Sequence, residues 1–261
     1  MCLNMFQLVF NLKKKVSQTL KEKGITSLIL KPLSVLKQLI FVLYTKSKIT
    51  KLTKNYTLNS LTNYASRVNK GFIKPIQRRS EILQLLNLLR KKKPIYILEI
   101  GTASGGTLFL FTRIAAKNAV IISVDLPGGL YGGGYSKLKI PLYSAFRMAN
   151  QKLHLIRANS HSNATLNQII SILKGNYLDF LYIDGVHSYK GVKMDFEMYS
   201  PLVKKSGIII FHDIIRSSLK INEVYKFWKD IKKNYDYKEI IDNRNQNGYG
   251  IGIIKLNDKK I

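Results

Sequence analysis

From Ser80 onward, apolar runs of strand length alternate with segments of helix length, and few architectures accept that pattern. The runs are Ile95–Ile100, Val120–Val124, Leu153–Arg157, Leu178–Ile183 and Gly207–Phe211. Helix-length segments at about 104–117, 141–151, 162–174, 190–204 and 222–234 separate or follow them. Ser80 is the expected N-cap of an earlier helix that runs to about Lys91, with Ile82, Leu85, Leu86 and Leu89 on one face and Pro94 ending it. Strands that alternate with helices predict a parallel sheet with helices on both faces. Tyr237–Ile241 and Gly250–Leu256 follow each other without a helix between them, which predicts an antiparallel hairpin at one edge. The expected fold is α/β, a mostly parallel seven-stranded sheet with an antiparallel edge hairpin.

In an open parallel sheet, ligands bind beyond the carboxyl ends of the strands. The first run leads into Glu99-Ile-Gly101-Thr102-Ala-Ser104-Gly105-Gly106-Thr107. Glycines admit a ligand to the backbone, and the following helix offers its N–H groups to an anion. No Gly-Lys-Ser/Thr follows, so this is not a phosphate loop, and the glycine spacing is not the dinucleotide fingerprint. Glu99, two positions before the first glycine, suits a ligand with an ammonium or sulfonium group, such as S-adenosylmethionine. Asp125 ends the second run, where an acid accepts ribose hydroxyls. The third run ends in Ala158-Asn159-Ser160-His161, suited to an adenine edge and, read alone, to an Asx/Ser turn. The fourth ends in Asp184-Gly-Val-His187-Ser-Tyr189 and the fifth in His212-Asp213, which gathers two histidine–aspartate pairs around one crevice.

Charge separates the two ends of the chain. There are 43 Lys and Arg against 15 Asp and Glu, a net +28, and residues 1–93 hold only two acids, Glu22 and Glu81. The basic segment 1–70 reads as a helical N-terminal arm, and 71–261 as the catalytic domain. Leu36, Leu39, Ile40 and Leu43 repeat at helical spacing beside lysines, suiting an anionic membrane surface, a neighbouring domain or a partner subunit. Lys31, Pro32 and Lys37 interrupt the apolar stretch 25–44, so it is not read as a membrane span. Leu3–Phe10 precedes the Lys13–Lys15 run, the reverse of a secretory signal. A single cysteine, Cys2, excludes a disulfide framework and a cysteine-based metal cluster. The expected location is the cytoplasm, with peripheral contact at the inner membrane face.

Several of these pieces belong together. Leu98-Glu99-Ile100-Gly101-Thr102 with Gly105-Gly106-Thr107 is one, and Ser123-Val124-Asp125-Leu126-Pro127-Gly128-Gly129 with Gly132-Gly133-Gly134-Tyr135 is another. The others are Asp184-Gly185-Val186-His187-Ser188-Tyr189 with Asp195, Pro201-Leu202, His212-Asp213 and Phe227-Trp228. Through them, the stretch from about Gln77 to Leu256 resembles the class I S-adenosylmethionine-dependent methyltransferases. It is most similar to the group with macrocin-type O-methyltransferases and cephalosporin-hydroxylase-like proteins. The resemblance implies the Rossmann-like class I methyltransferase fold and O-methylation of a hydroxyl on a small molecule, glycan or lipid-linked precursor. It implies cofactor contacts at Glu99, Gly101, Thr102, Ser104, Gly105, Asp125, Asn159, Ser160 and Asp184. In magnesium-dependent relatives, an acid after strand four and an acid pair after strand five hold the metal. The corresponding ligands here are Asp184 and Asp213, with Mg²⁺ or another divalent cation, and His212 replaces one acid.

His187, three residues past Asp184, is the expected general base, with His212 in reserve. Leu126–Ile140 reads as a glycine-rich lid. Two competing readings are a nucleic-acid-binding or nucleic-acid-modifying methyltransferase, suggested by the charge, and a catalytically silent binder of the same fold. Asp184-Gly-Val-His lacks the Asn/Asp-Pro-Pro-aromatic motif of base-amino methyltransferases, which makes nucleic acid the weaker partner. Homo-oligomerisation stays open.

Overall fold

The structure, a computed structural model, describes residues 34–52, 56–128, 134–218 and 222–256. Two compact units divide the chain at Tyr44/Thr45. Residues 34–50 are helical (α1), and the part before Thr45 leaves Leu36, Leu39, Ile40 and Leu43 exposed. The remainder of the expected arm, residues 1–33, lies outside the described residues.

The larger unit begins at Thr45, so the expected boundary at residue 70 falls inside it. The reason is burial on either side of that position. Helix α2 (Leu58–Arg67) buries Leu58, Leu61 and Ala65, and Asn69 Nδ2 donates to Thr45 Oγ1 at 2.9 Å. Thr57 caps α2, its hydroxyl accepting the N–H of Ser60.

The seven expected strands all form: β1 (Tyr96–Ile100), β2 (Val120–Val124), β3 (Lys152–Ile156), β4 (Leu178–Ile183), β5 (Val203–His212), β6 (Asp236–Ile240) and β7 (Ile251–Lys255). Their order across the sheet is β3-β2-β1-β4-β5-β7-β6. The first five are parallel, and β7 lies antiparallel between β5 and β6. The chain reverses its winding between β1 and β4, and their carboxyl ends lie side by side in register, Ile100 beside Ile183. That junction is where open α/β sheets bind ligands.

The helices are α3 (Arg79–Lys92), α4 (Gly106–Ile114), α5 (Ile140–Ser144), α6 (Asn163–Leu173), α7 (Tyr189–Tyr199) and α8 (Val224–Ile231). One expected helix, 141–151, is cut short: α5 stops at Ser144. The Gln151 side chain explains the early stop. Its Oε1 accepts the N–H of Met148 at 2.9 Å, while its Nε2 donates to Thr112 O at 2.9 Å and Ala116 O at 3.1 Å. These bonds satisfy the end of α4 and hold residues 148–151 in a turn. Helix α7 likewise gives way to a 3₁₀ turn at Ser200–Leu202, which contains Pro201.

Strand β7 completes the core on the hairpin side. Trp228 of α8 is buried, and its indole N–H donates to Glu239 Oε1 at 2.6 Å. A β-carbon on Gly252 would lie 2.7 Å from the indole ring, so glycine lets β7 pass under the tryptophan. Gly252→Ala should overpack this contact at a cost of about 1–3 kcal/mol and lower the melting temperature by several degrees. Thermal unfolding followed by tryptophan fluorescence checks this, and an unchanged midpoint would mean that the ring yields freely.

Candidate functional site

The site grows from the β1–β4 junction. Asp184 N–H donates to Ile100 O at 2.8 Å, and Gly101 N–H donates to Val124 O at 2.9 Å, so three strand ends are tied together. Gly101 has φ +91°, and a β-carbon there would collide with the Asp184 carbonyl. The room beside the next glycines, expected to admit a ligand, is filled by the protein. The Tyr143 ring lies against Gly105 and the Ile73–Pro75 backbone against Gly106, and the Tyr143 hydroxyl donates to Ala103 O at 2.8 Å.

Glu99 is fully buried, and neither carboxylate oxygen has a hydrogen-bond partner among the described residues. Burial pushes its carboxyl up to about 8. Asp125 is also buried, which raises its pKa, and its Oδ2 accepts the Ala103 N–H at 2.7 Å. The other expected contacts have local bonds. The Thr102 and Ser123 hydroxyls pair with each other, and the Ser104 hydroxyl donates to Lys74 O at 2.6 Å. Asn159 Oδ1 accepts the His161 N–H at 3.0 Å, an Asx turn, and the carbonyl of buried Ser160 accepts the Tyr199 hydroxyl at 2.5 Å.

The two histidine–aspartate pairs come together as expected. His212 Nδ1 lies 3.1 Å from Asp184 Oδ1 and 3.6 Å from Asp213 Oδ1. His187 bridges the same carboxylates, with Nε2 at 3.6 Å from Asp184 Oδ1 and Nδ1 at 3.5 Å from Asp213 Oδ2. The two rings differ in access: the His187 side chain is 24% exposed and that of His212 only 2%. Asp184, His212 and Asp213 each offer one ligand atom within 4.8 Å of the others. Of the expected lid, residues 129–133 lie outside the described residues; Tyr135 beyond them is buried, its carbonyl accepting Arg157 Nε at 3.0 Å.

Two residues that the sequence reading did not single out hold this cluster. Gln77 Nε2 donates to Asp184 Oδ2 at 2.7 Å from 107 residues away, and no local pattern marks it. Glu81 sits on the buried face of α3 and accepts three bonds from the β6–β7 loop. They come from Gly250 N–H at 3.0 Å, Asp242 N–H at 3.2 Å and Gln246 Nε2 at 2.7 Å. That loop in turn delivers the Tyr249 N–H to Asp213 Oδ1 at 3.1 Å, where Asp213 adopts φ +62°. The one signal for Glu81 in the sequence is an acid within an apolar helical face.

Burial alone would lower the affinity of His212 for a proton, but Asp184 and Asp213 outweigh it and push the imidazole up to about 9. In turn, His212 and His187 hold Asp184 well below the usual carboxylate range in spite of its burial. The stabilisation from His212 is therefore complete below its unfolded pKa near 6.5 and is lost as pH rises through about 9. That of Asp184 is present above the unfolded value near 3.9 and is lost on acidification. With chelator present, the wild type should lose stability on the order of 3 kcal/mol between about pH 6.5 and 9.5, a loss that His212→Gln should lack. Thermal unfolding of both proteins across that range checks it; parallel curves would remove the ion pair from the account.

A family described as a methyltransferase domain matches residues 98–214. An uncharacterised protein of Acanthamoeba polyphaga mimivirus is 31% identical over 139 residues, covering 49% of this chain and 55% of that protein. One from Sinorhizobium fredii is 25% identical over 152 residues, covering 55% of this chain and 16% of that protein. The chain thus spans about half the length of one curated relative and a sixth of the other. Among solved structures, the O-methyltransferase from Bacillus cereus in complex with SAH superposes with a TM-score of 0.52 at 16% identity, covering 78% of this chain and 93% of that one. Residues 98–214 are therefore similar to a methyltransferase domain, and the sheet has the Rossmann-like class I methyltransferase fold.

Proposed function

We propose that the protein is an S-adenosylmethionine-dependent O-methyltransferase acting on a hydroxyl of a small molecule, or of a glycan or lipid-linked precursor. The observation that carries this reading is Glu99, a fully buried carboxylate at the end of β1 that has only the Thr107 and Thr102 hydroxyls beside it and no charged partner among the described residues. A buried carboxylate without a charged partner is costly, and a ligand ammonium would satisfy it. S-adenosylmethionine offers that ammonium, and its sulfonium supplies a methyl group open to in-line displacement. Glu99 and the Gly101 turn hold the amino-acid end, and the Asp125 carboxylate takes the ribose. Thr102, Ser104, Gly105, Asn159, Ser160 and Asp184 shape the surrounding walls.

Transfer forms a C–O bond to the acceptor as the C–S bond breaks, and the hydroxyl proton must leave. His187 takes it, because His187 is the more accessible ring of the cluster and the two carboxylates beside it raise its affinity for a proton against the effect of burial. A divalent cation also fits the cluster, held by Asp184 and Asp213 with His212 Nδ1 third; it would acidify the acceptor hydroxyl. An imidazole in the set suits Mg²⁺ less well than an all-oxygen site does.

Residues 34–44 add a location. No helix among the described residues is long and apolar enough to cross a membrane. The exposed Leu36, Leu39, Ile40 and Leu43, in a chain segment of strong positive charge, suit an anionic membrane surface. The enzyme then works in the cytoplasm, against the inner membrane face.

Calorimetry on Asp125→Ala should show S-adenosylmethionine binding weakened at least about tenfold, or about 1.4 kcal/mol. Unchanged affinity would take Asp125 out of the site. His187→Ala should lower kcat by about 10²–10⁴ on the true acceptor while cofactor affinity holds. Full retention of kcat would shift the base to His212. Loss of turnover in EDTA and recovery with a divalent ion would establish the metal. Retention on anionic vesicles should fall steeply with salt, and equal retention on neutral vesicles would argue against the charge-driven contact.

A further inference from the structure

Helix α7 is a wall shared by the loops that follow β3 and β4. Gly191, Asp195 and Tyr199 recur on its buried face at a spacing of four, and all three reach the same two residues, Ser160 and His161. His161 Nε2 lies 3.2 Å from Gly191 O and 3.2 Å from Asp195 Oδ1, while the Tyr199 hydroxyl donates to Ser160 O at 2.5 Å. Both neighbours of that ring nitrogen are oxygen acceptors, so Nε2 carries a proton. Asp195 also raises the pKa of the ring, against the effect of burial. The loop is braced on its other side by its own helix: Asn159 O accepts the Thr165 hydroxyl at 2.8 Å and the Ser162 N–H at 3.2 Å.

The same positions of α7 also press on the loop after β4. A β-carbon on Gly185 would lie 3.2 Å from Asp195 Oδ2, and one on Gly191 would lie 2.5 Å from Val186 Cγ1. Asp195 therefore stands between two loops, with one oxygen toward His161 and the other against the residue that follows Asp184. It is fully buried, and His161 is its one charged partner among the described residues. Buried ion pairs are often no more stabilising than apolar residues of the same volume. What such a pair fixes is geometry, because a buried polar contact tolerates little displacement.

We propose that His161 and Asp195 are positioning residues for methyl transfer, holding the loop of Asn159 and Ser160 in register with the loop of Asp184 and His187. Neither side chain touches cofactor or acceptor; both act through α7. The proposal rests on the methyl-transfer reading of the site. It adds that cofactor binding at one loop and order in the other depend on a single buried pair.

Two measurements on the full chain test it, both at a temperature where circular dichroism shows each variant folded. One is calorimetry with S-adenosylhomocysteine; the other is hydrogen exchange of the amides of residues 184–188, read by mass spectrometry. His161→Ala should weaken S-adenosylhomocysteine at least about tenfold and speed exchange at 184–188 by a similar factor. His161→Gln keeps a side-chain donor, and it should restore affinity to within about threefold of wild type and slow exchange again. Should His161→Ala fail to fold, Tyr199→Phe decides: it deletes only the bond to Ser160, and it should weaken binding about threefold or more and speed the same amides. A merely structural pair would lower the melting temperature and leave both readouts of the folded variants unchanged, which would overturn the proposal. So would weaker binding with exchange at 184–188 unaltered, because the loops would then be independent. If the wild type binds no S-adenosylhomocysteine, the methyl-transfer reading falls and the proposal with it; binding that is indifferent to all three substitutions removes the positioning pair alone.

Discussion

Asp184 must have its charge compensated, because a buried carboxylate without partners would cost several kcal/mol. Three distant parts of the chain meet that demand. Gln77 comes from the segment before α3, His187 from the loop after β4 and His212 from the end of β5. The backbone of the same residue anchors to Ile100 and leaves no room for a side chain at Gly101. The meeting of β1 and β4, the placement of both histidines and the docking of the segment before α3 are thus one problem with one solution. Substituting any one partner removes part of that compensation.

A second carboxylate, Glu81, repeats the device at the sheet edge. Its three bonds run to a loop rather than to a partner charge. Through Gly250 and Tyr249 it fixes the angle at which Asp213 presents its carboxylate, and Asp213 keeps a left-handed backbone there. Residues of that kind persist where the surroundings over-determine them, and they cluster at functional sites.

The sheet was legible because a parallel strand buried on both faces must be a short apolar run, and each of the seven runs became a strand. The strand-end chemistry was legible for a related reason: topology places those residues together whatever the loops do, as the convergence of Asp184, His187, His212 and Asp213 shows. What escaped depends on single long-range bonds. Gln151 reaches back to α4 and stops α5, and Thr45 and Asn69 join across a stretch that composition alone would assign to an appendage. Gln77 is one amide among many polar residues until the fold brings Asp184 to it. The glycines beside α4 had the opposite fate: their pattern was read correctly as close approach, but the protein's own Tyr143 and Ile73–Pro75 approach them.

The place of β7 bears on how the molecule is made. Strand β5 finds its second neighbour only in residues 251–255, and β6, though synthesised first, has to wait at the outside for the same segment. A nascent chain that has emerged only as far as residue 240 exposes the open edge of β5, with its Ile208–Phe211 run, and Glu81 still lacks all three of its donors. Exposed apolar edges pair with whatever strand they meet. The interval between emergence of β5 and of β7 is therefore the stage of biosynthesis at which this chain most needs a chaperone, and a ribosome pause between codons 212 and 251 would lengthen it.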